Sequence, residues 1–250
     1  MTLGNIKHVG ILGGGVMGAG IAQLHALAGF EVTIRDVSHE RVEATRSDLL
    51  DGKWGIKRAV ERGKVGFDAG LAAIERCHYT TEVADLREVD LLIEAIPEKL
   101  ELKREVFAEL DALVKDEAIF TSNTSGIVIA EIAEAVSAQR RTRFIGTHYS
   151  NPVVVMDICE VIYTPETSQQ TIDCIVSVQE KIGRTVAMVK DTPGTRGFIF
   201  NRVFGAAFRE AMKIVNEGIA TREDVDKAMI GGRNWPVGFF GGRGGIGKQW

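Results

Sequence analysis

The sequence predicts an α/β chain whose larger N-terminal part is built on a parallel-type sheet and whose C-terminal part is all helical. Three observations carry this. The N-terminal stretch HVGILGGGVMGAGIAQLHALAGFEVTIRD runs strand, glycine turn, helix, strand, acid, the layout of a βαβ unit. Apolar runs and helix-patterned segments then alternate as far as Asp191. Beyond it, FNRVFGAAFREAMKIVNEG and TREDVDKAMIGG are helical with no strand between them. The domain boundary therefore falls near residue 190, with one domain over 1–190 and a short second one over 191–250.

The elements follow in order. HVGIL is a β-branched strand, VMGAGIAQLHALA a small-residue helix closed by Gly29, and FEVTIRD a strand ending in an acid. Residues 38–76 are charged, helix-patterned and broken by glycines, which predicts one or two solvent-facing helices. VDLLIEAIP is a near-continuous apolar run, as suits a strand covered on both faces. KLELKREVFAELDALV has apolar residues at helical spacing. AIFTSNTS reads as a strand with a polar tip, IVIAEIAEAVS as a helix, and RFIGTHYSNP as a strand stopped by Asn-Pro. MDICEVIYT and RTVAMVKDTPG are two more strands separated by a helix over TSQQTIDCIVSVQEKIG. The glycine-rich GRNWPVGFFGGRGGIGKQW does not read as a regular element.

Composition narrows the function classes. A net charge of −4 gives no electrostatic reason to expect a nucleic-acid partner. No run of apolar residues approaches the roughly 18 needed for a membrane span, and no leader pattern opens the chain. Cys77, Cys159 and Cys174 are odd in number and lack metal-site spacing, so they read as reduced thiols of a cytoplasmic protein, and no metal is expected.

The first turn carries the clearest chemistry. GGGVMG sets Gly13, Gly15 and Gly18 in the G-x-G-x-x-G spacing, with Val16 and Met17 between the last two. One glycine makes the tight turn, one lets backbone approach a pyrophosphate, and one lets helix pack close on strand. The helix N-terminus then offers free N–H groups to phosphate. Asp36, at the end of the next strand, can accept from both ribose hydroxyls and repels a 2′-phosphate, which favours NAD over NADP. The neighbouring Arg35 could accommodate such a phosphate, but strand alternation turns it the other way. The domain is thus expected to be of the Rossmann, dinucleotide-binding type.

In open parallel sheets ligands sit at the C-terminal ends of the strands. The polar residues expected there are Glu98 and Lys103, then Ser122, Asn123 and Ser125, then His148 and Asn151. The plain structural reading of SNTS and SNP is turn and cap chemistry. For His148, with a carboxylate nearby in sequence, an acid/base role is favoured. Alternation puts Glu160 and Ile158 on one strand face and Asp157 and Cys159 on the other, and leaves open which acid is the partner.

Taken in order, GGGVMGAGIA, IEAIPEKLELKREVF, SNTS, GTHYSNPVVVMDICEVI, DTPG and FNRV resemble the L-3-hydroxyacyl-CoA dehydrogenases, over about residues 6–230. The resemblance implies oxidation of a 3-hydroxyacyl-CoA to a 3-ketoacyl-CoA with NAD, and a homodimer formed through the helical domain. It makes His148 the acid/base and Glu160 its partner. It gives Ser125 and Asn201 the substrate oxygen, Asp36 the adenosine ribose, and Glu98 and Lys103 places near the cofactor. Asn123 is assigned to the cofactor side and Asn151 to the substrate side. The implied setting is β-oxidation-type fatty acid metabolism.

Three departures from the family pattern stand out. Gly126 takes the place of a frequent serine. Thr195, Arg196 and Gly197 interrupt DTPG and the F-x-x-N-R stretch. NWPVGFFGGRGGIGKQW replaces a G-Y-P-M-G-P-F-like segment, so the helical domain is expected to be abbreviated or completed by another chain. Arg196, with Arg233, Arg243 and Lys248, adds positive charge, and Arg196 becomes a candidate contact for a bulky or carboxylated acyl group. Trp235, Phe239 and Phe240 are expected in packing. Two other readings compete. One is a dehydrogenase of a free hydroxy acid or sugar acid, which would lack a CoA-binding surface. The other is a non-catalytic NAD-binding protein, against which the joint presence of His148, Glu160, Ser125 and Asn201 argues.

Overall fold

The computed structural model describes residues 2–194 and 196–241. The chain divides into two compact units, residues 1–197 and 198–250.

The first unit is an eight-stranded sheet. Its strands are β1 (His8–Leu12), β2 (Glu31–Arg35), β3 (Cys77–Thr80), β4 (Leu91–Glu94), β5 (Ile119–Ser122), β6 (Phe144–Tyr149), β7 (Ile158–Tyr163) and β8 (Thr185–Lys190). The spatial order is β3-β2-β1-β4-β5-β6-β7-β8. Every neighbouring pair is parallel except β6 and β7. Strand order reverses between β1 and β4, and the loops leaving these two strands flank the crevice where such sheets bind ligands. The central strands are covered on both faces: β4, β5 and β6 are buried at every position.

The helices of this unit are α1 (Val16–Leu27), α2 (His39–Asp51), α3 (Ile56–Glu61), α4 (Phe67–Glu75), α5 (Leu100–Leu113), α6 (Ile129–Ala133), α7 (Ala138–Arg141) and α8 (Gln169–Lys181). Residues 38–76 thus form three helices where one or two were expected. Glycine divides them: Gly52 closes α2, Gly55 caps α3, Gly63 turns the chain at φ +66°, and Gly66 caps α4. The edge strand β3 was also not expected. It is four residues long and only partly buried, so CHYT lacks the apolar run that marked the inner strands.

α1 lies deep in the unit and carries His25, which is fully buried. Its Nδ1 donates to the Ile21 carbonyl at 2.8 Å, and Nε2 has no hydrogen-bond partner. Burial pushes its pKa down to about 4, with the Ile21 bond acting in the opposite direction. The folded chain therefore keeps this ring neutral at pH values where the unfolded chain, with an ordinary pKa of about 6.5, takes up a proton. Stability from this group is intact above about pH 6.5 and falls as pH drops towards about 4, by about 3 kcal/mol in all. Denaturation midpoints measured across that window should fall more steeply for the wild type than for His25→Gln. Parallel slopes would refute the assignment.

The second unit contains α9 (Ile199–Asn216) and α10 (Arg222–Arg233). Thr221 caps α10 by accepting from the Asp224 N–H, and Asn234 closes it in the left-handed conformation at φ 56°. Trp235 and Phe239 meet edge-on with centroids 5.0 Å apart, Phe239 lies 5.4 Å from Phe204, and Phe240 lies 5.8 Å from Phe208. The buried Asp226 accepts from the Phe240 N–H at 3.0 Å. These aromatics therefore pack, as expected. Arg233 ends α10, whereas Arg243 and Lys248 lie outside the described residues.

Candidate active site

The glycine turn has the geometry its spacing predicts. Gly13 sits at φ +94°, and a Cβ there would lie 2.7 Å from the Ala95 carbonyl oxygen. A Cβ on Gly18 would lie 1.8 Å from the Gly13 carbonyl oxygen, so this glycine lets α1 close against the turn. A Cβ on Gly15 would meet nothing within 4 Å, which leaves open space beside the N-terminus of α1, where Val16 and Met17 begin the helix. Asp36 follows β2 and is 6% exposed. Its carboxylate accepts from the Gly14 N–H at 2.8 Å and the Val37 N–H at 2.6 Å, which ties the acid to the glycine turn. Arg35 Nε donates to the Thr81 carbonyl at 3.1 Å, so its guanidinium is engaged elsewhere. Open space at one glycine, closure at the other two and a fixed acid fit a dinucleotide with free ribose hydroxyls.

β6 and β7 build the second part. Their antiparallel register sets His148 directly opposite Glu160. His148 Nδ1 lies 2.7 Å from Glu160 Oε2, with the residues 7% and 3% exposed. A carboxylate only accepts, so Nδ1 carries the hydrogen of this bond. Asp157 precedes β7, and the register excludes it from this pairing.

The third part joins the ends of β4 and β5. Asn123 Oδ1 accepts from the Tyr149 N–H at 3.0 Å and so ties the SNTS turn to the residue after His148. Glu98 Oε1 accepts from Thr124 Oγ1 at 2.5 Å, the Ser125 N–H at 2.9 Å, Ser125 Oγ at 3.2 Å and the Gly126 N–H at 3.2 Å. Burial works to raise the Glu98 pKa, but its bonds from Thr124 and Ser125 and the Lys103 charge hold it below the ordinary carboxylate value. Lys103 is 1% exposed. Its ammonium reaches Glu94 Oε1 at 2.5 Å, Glu98 Oε2 at 3.3 Å and the Ile96 carbonyl at 3.3 Å. Those three contacts match its three donors. Ser122 Oγ donates to Glu94 Oε2 at 2.5 Å and accepts from the Thr124 N–H at 3.2 Å. Ser122 and Thr124 thus do turn chemistry, and Glu94, not singled out in the sequence, anchors the cluster.

The remaining candidates are more dispersed. Asn151 is exposed just after β6, beside a pocket that Val16, Gly20, Lys53 and Trp54 also line. Arg196 is exposed, and the next residue, Gly197, donates its N–H to the Gly126 carbonyl at 3.3 Å. Gly197 therefore lies against the turn that carries Ser125. Asn201 lies in the first turn of α9, in the second unit.

The profile of the 3-hydroxyacyl-CoA dehydrogenase NAD binding domain matches residues 8–192, and that of the C-terminal domain of the same enzymes matches residues 197–247. The chain belongs to the 3-hydroxyacyl-CoA dehydrogenase family. It is 37% identical over 238 residues to the human mitochondrial hydroxyacyl-coenzyme A dehydrogenase, covering 94% of this chain and 74% of that protein. The (S)-3-hydroxybutyryl-CoA dehydrogenase PaaH1 from Ralstonia eutropha superposes with a TM-score of 0.87 at 33% identity, covering 94% of this chain and 80% of that one. An NAD⁺-dependent dismutase, 5-formyl-3-hydroxy-2-methylpyridine 4-carboxylic acid 5-dehydrogenase, superposes at 0.79 with 32% identity, over 93% of this chain and 74% of that one. In this 3-hydroxyacyl-CoA dehydrogenase family member the matched NAD-binding domain includes the glycine turn and Asp36, whose geometry fits the cofactor. Among the described residues no helix is long and apolar enough to cross a membrane.

Proposed function

We propose that this chain oxidises a 3-hydroxyacyl-CoA to the 3-ketoacyl-CoA, reversibly, with His148 as general base and acid. The observation that carries this is the buried His148–Glu160 pair near the C-terminal end of β6, at the same end of the sheet as the glycine turn that follows β1. When bound, NAD supplies the hydride acceptor. His148 Nε2 takes the proton of the 3-hydroxyl, and Glu160 orients the ring and stabilises the imidazolium that forms. Ser125 is assigned to the substrate oxygen, and Asn201, whose amide can donate, to the same oxygen. Gly13, Gly15, Val16, Met17, Gly18 and Asp36 hold the cofactor, with Asn123, Glu98 and Lys103 supporting the nicotinamide side. Asn151 is assigned to the substrate. The division into domains over 1–190 and 191–250 assigns cofactor and acid/base chemistry to the first.

Ile199, Phe200, Val203 and Phe204 are exposed on α9, and we infer that this stripe pairs with a second copy of the chain. Three buried free thiols suit the cytoplasm.

The substrate is proposed to carry an extra carboxylate or a bulky group, because Arg196 sits one residue from the backbone bond to Gly126. A guanidinium pairs with carboxylate through a fork of donors. The relative that acts on a pyridine carboxylic acid keeps a free-acid substrate in play as a second reading. The test is NADH oxidation with acetoacetyl-CoA beside larger and dicarboxylic 3-ketoacyl-CoA thioesters and the free acids. Turnover confined to thioesters is expected, with Arg196→Ala raising KM about tenfold for the dicarboxylic thioester alone. An unchanged KM for both thioester classes would remove Arg196 from recognition, and turnover of free acids alone would replace the acyl-CoA reading.

A further inference from the structure

Glu94 is the last residue of β4 and is fully buried. A carboxylate in that position costs several kcal/mol of desolvation, so it persists only where its bonds are well made. Here they are: Oε1 accepts from Lys103 Nζ at 2.5 Å and the Ile96 N–H at 2.7 Å, and Oε2 from Ser122 Oγ at 2.5 Å. Burial pushes the Glu94 pKa up, with Lys103, Ser122 and Ile96 opposing it.

The bonds run outward from Glu94 along two routes. One goes through Lys103 to Glu98, whose far oxygen accepts from Thr124, Ser125 and Gly126. The other goes through Ser122 Oγ to the Thr124 N–H. Both end on residues 124–126. The Lys103 ammonium is shared unequally, at 2.5 Å from Glu94 and 3.3 Å from Glu98. Removing the Glu94 charge would leave Glu98 as the sole anion for Lys103 and draw its carboxylate off the turn. It would also weaken the acceptor that orients the Ser122 hydroxyl. A neutral side chain could fill the same volume, so the charge itself requires an explanation.

We propose that Glu94 is a positioning residue for the dehydrogenase reaction, clamping the 122–126 turn from both sides so that the Ser125 hydroxyl is held for the substrate oxygen. This rests on the reading of Ser125 as a substrate contact. Displacement of a positioned group by about 1 Å can cost as much as about a hundredfold in rate.

The test compares Glu94→Gln, Ser125→Ala, their double variant, and Glu94→Gln/Lys103→Met, each by steady-state kinetics with acetoacetyl-CoA and NADH and by thermal unfolding. Glu94→Gln is expected to lower kcat by about ten- to a hundredfold, a loss that exceeds any change in KM for NADH. On the Ser125→Ala background the same change should cost less than about twofold, because both act on one hydroxyl. Glu94→Gln/Lys103→Met removes both buried charges, so stability should return while kcat stays low. If Glu94→Gln alone fails to fold, Ser122→Ala decides the matter, because it breaks the Ser122 route from Glu94 to the turn and leaves Lys103 in place: a lowered kcat is expected, and wild-type kcat would overturn the proposal. Wild-type kcat in Glu94→Gln, or recovery of kcat together with stability in the charge-free pair, would overturn the proposal and leave Glu94 a purely structural acid. Full activity in Ser125→Ala would overturn it by a different route, by removing the role of Ser125. Loss in Ser125→Ala without loss in Glu94→Gln would overturn the Glu94 role alone.

Discussion

His148→Gln is expected to lower kcat by about a hundredfold or more, equivalent to about 2.7 kcal/mol of transition-state stabilisation. Glutamine keeps a donor that can face Glu160, so the buried carboxylate is not left unpaired and the fold should hold. What is lost is the imidazole nitrogen assigned to take the 3-hydroxyl proton. Glu160→Gln should cost less, because the ring remains and loses only its orienting anion. Since Glu160 acts through the ring it holds at 2.7 Å, the double variant should be no slower than His148→Gln within about twofold. NADH affinity, read by fluorescence titration, should be unchanged in all three, because the cofactor is assigned to the glycine turn and Asp36, which follow β1 and β2, and the pair lies on β6 and β7. A His148→Gln variant turning over near the wild-type rate would rule out the mechanism. Fully additive losses would mean that Glu160 acts on something other than the ring.

Legibility in the sequence followed how local each feature was. The glycine turn was readable because its φ requirement, its close approach and the following acid all lie within residues 13–36. The inner strands were readable because burial on both faces forces near-continuous apolar runs, such as LLI at residues 91–93 of β4. β3 was not, because an edge strand with one neighbour can carry CHYT without such a run. The choice between Asp157 and Glu160 could not be made from alternation, since it depends on the register of an antiparallel pair. Glu94 was hidden for the opposite reason. It sits inside the apolar run that identified β4, where its carboxylate looked incidental. A signal was present nonetheless: an ionisable residue ends a strand buried throughout, with Lys103 following on α5 to neutralise it. Such residues are almost never fully buried without a partner.

Arg140 carries the largest expected effect on stability. It is 2% exposed and all its donor atoms are used. Nε donates to Asp111 Oδ1 at 2.9 Å. Nη1 reaches the carbonyls of Lys115, Asp116 and Ala118 at 2.9, 3.2 and 2.8 Å, and Nη2 that of Val114 at 2.9 Å. The guanidinium carbon lies 4.2 Å from the centroid of the Phe120 ring. These carbonyls leave the C-terminal end of α5 and lead into β5, a place where a helix has no backbone donors of its own to offer. Asp111 in turn accepts from the Ser137 N–H at 2.7 Å, and against the upward push of burial the Arg140 and Ser137 bonds hold its carboxyl below the ordinary value. Arg140→Ala would leave one carboxylate and four carbonyls short of donors at once. The expected loss is about 3–5 kcal/mol, or a fall in Tm of about 10 °C or more for a chain of this size. Arg140→Lys should recover less than about half of it, since an ammonium cannot span a carboxylate and a fan of carbonyls in one plane. Because the cluster sits on the side of β5 away from the Ser122–Ser125 turn, KM values of the folded fraction should not move. A loss below about 1 kcal/mol by chemical denaturation would show that water replaces the guanidinium here, and that the α5–β5 connection is held by apolar packing around Phe107 and Phe120 instead.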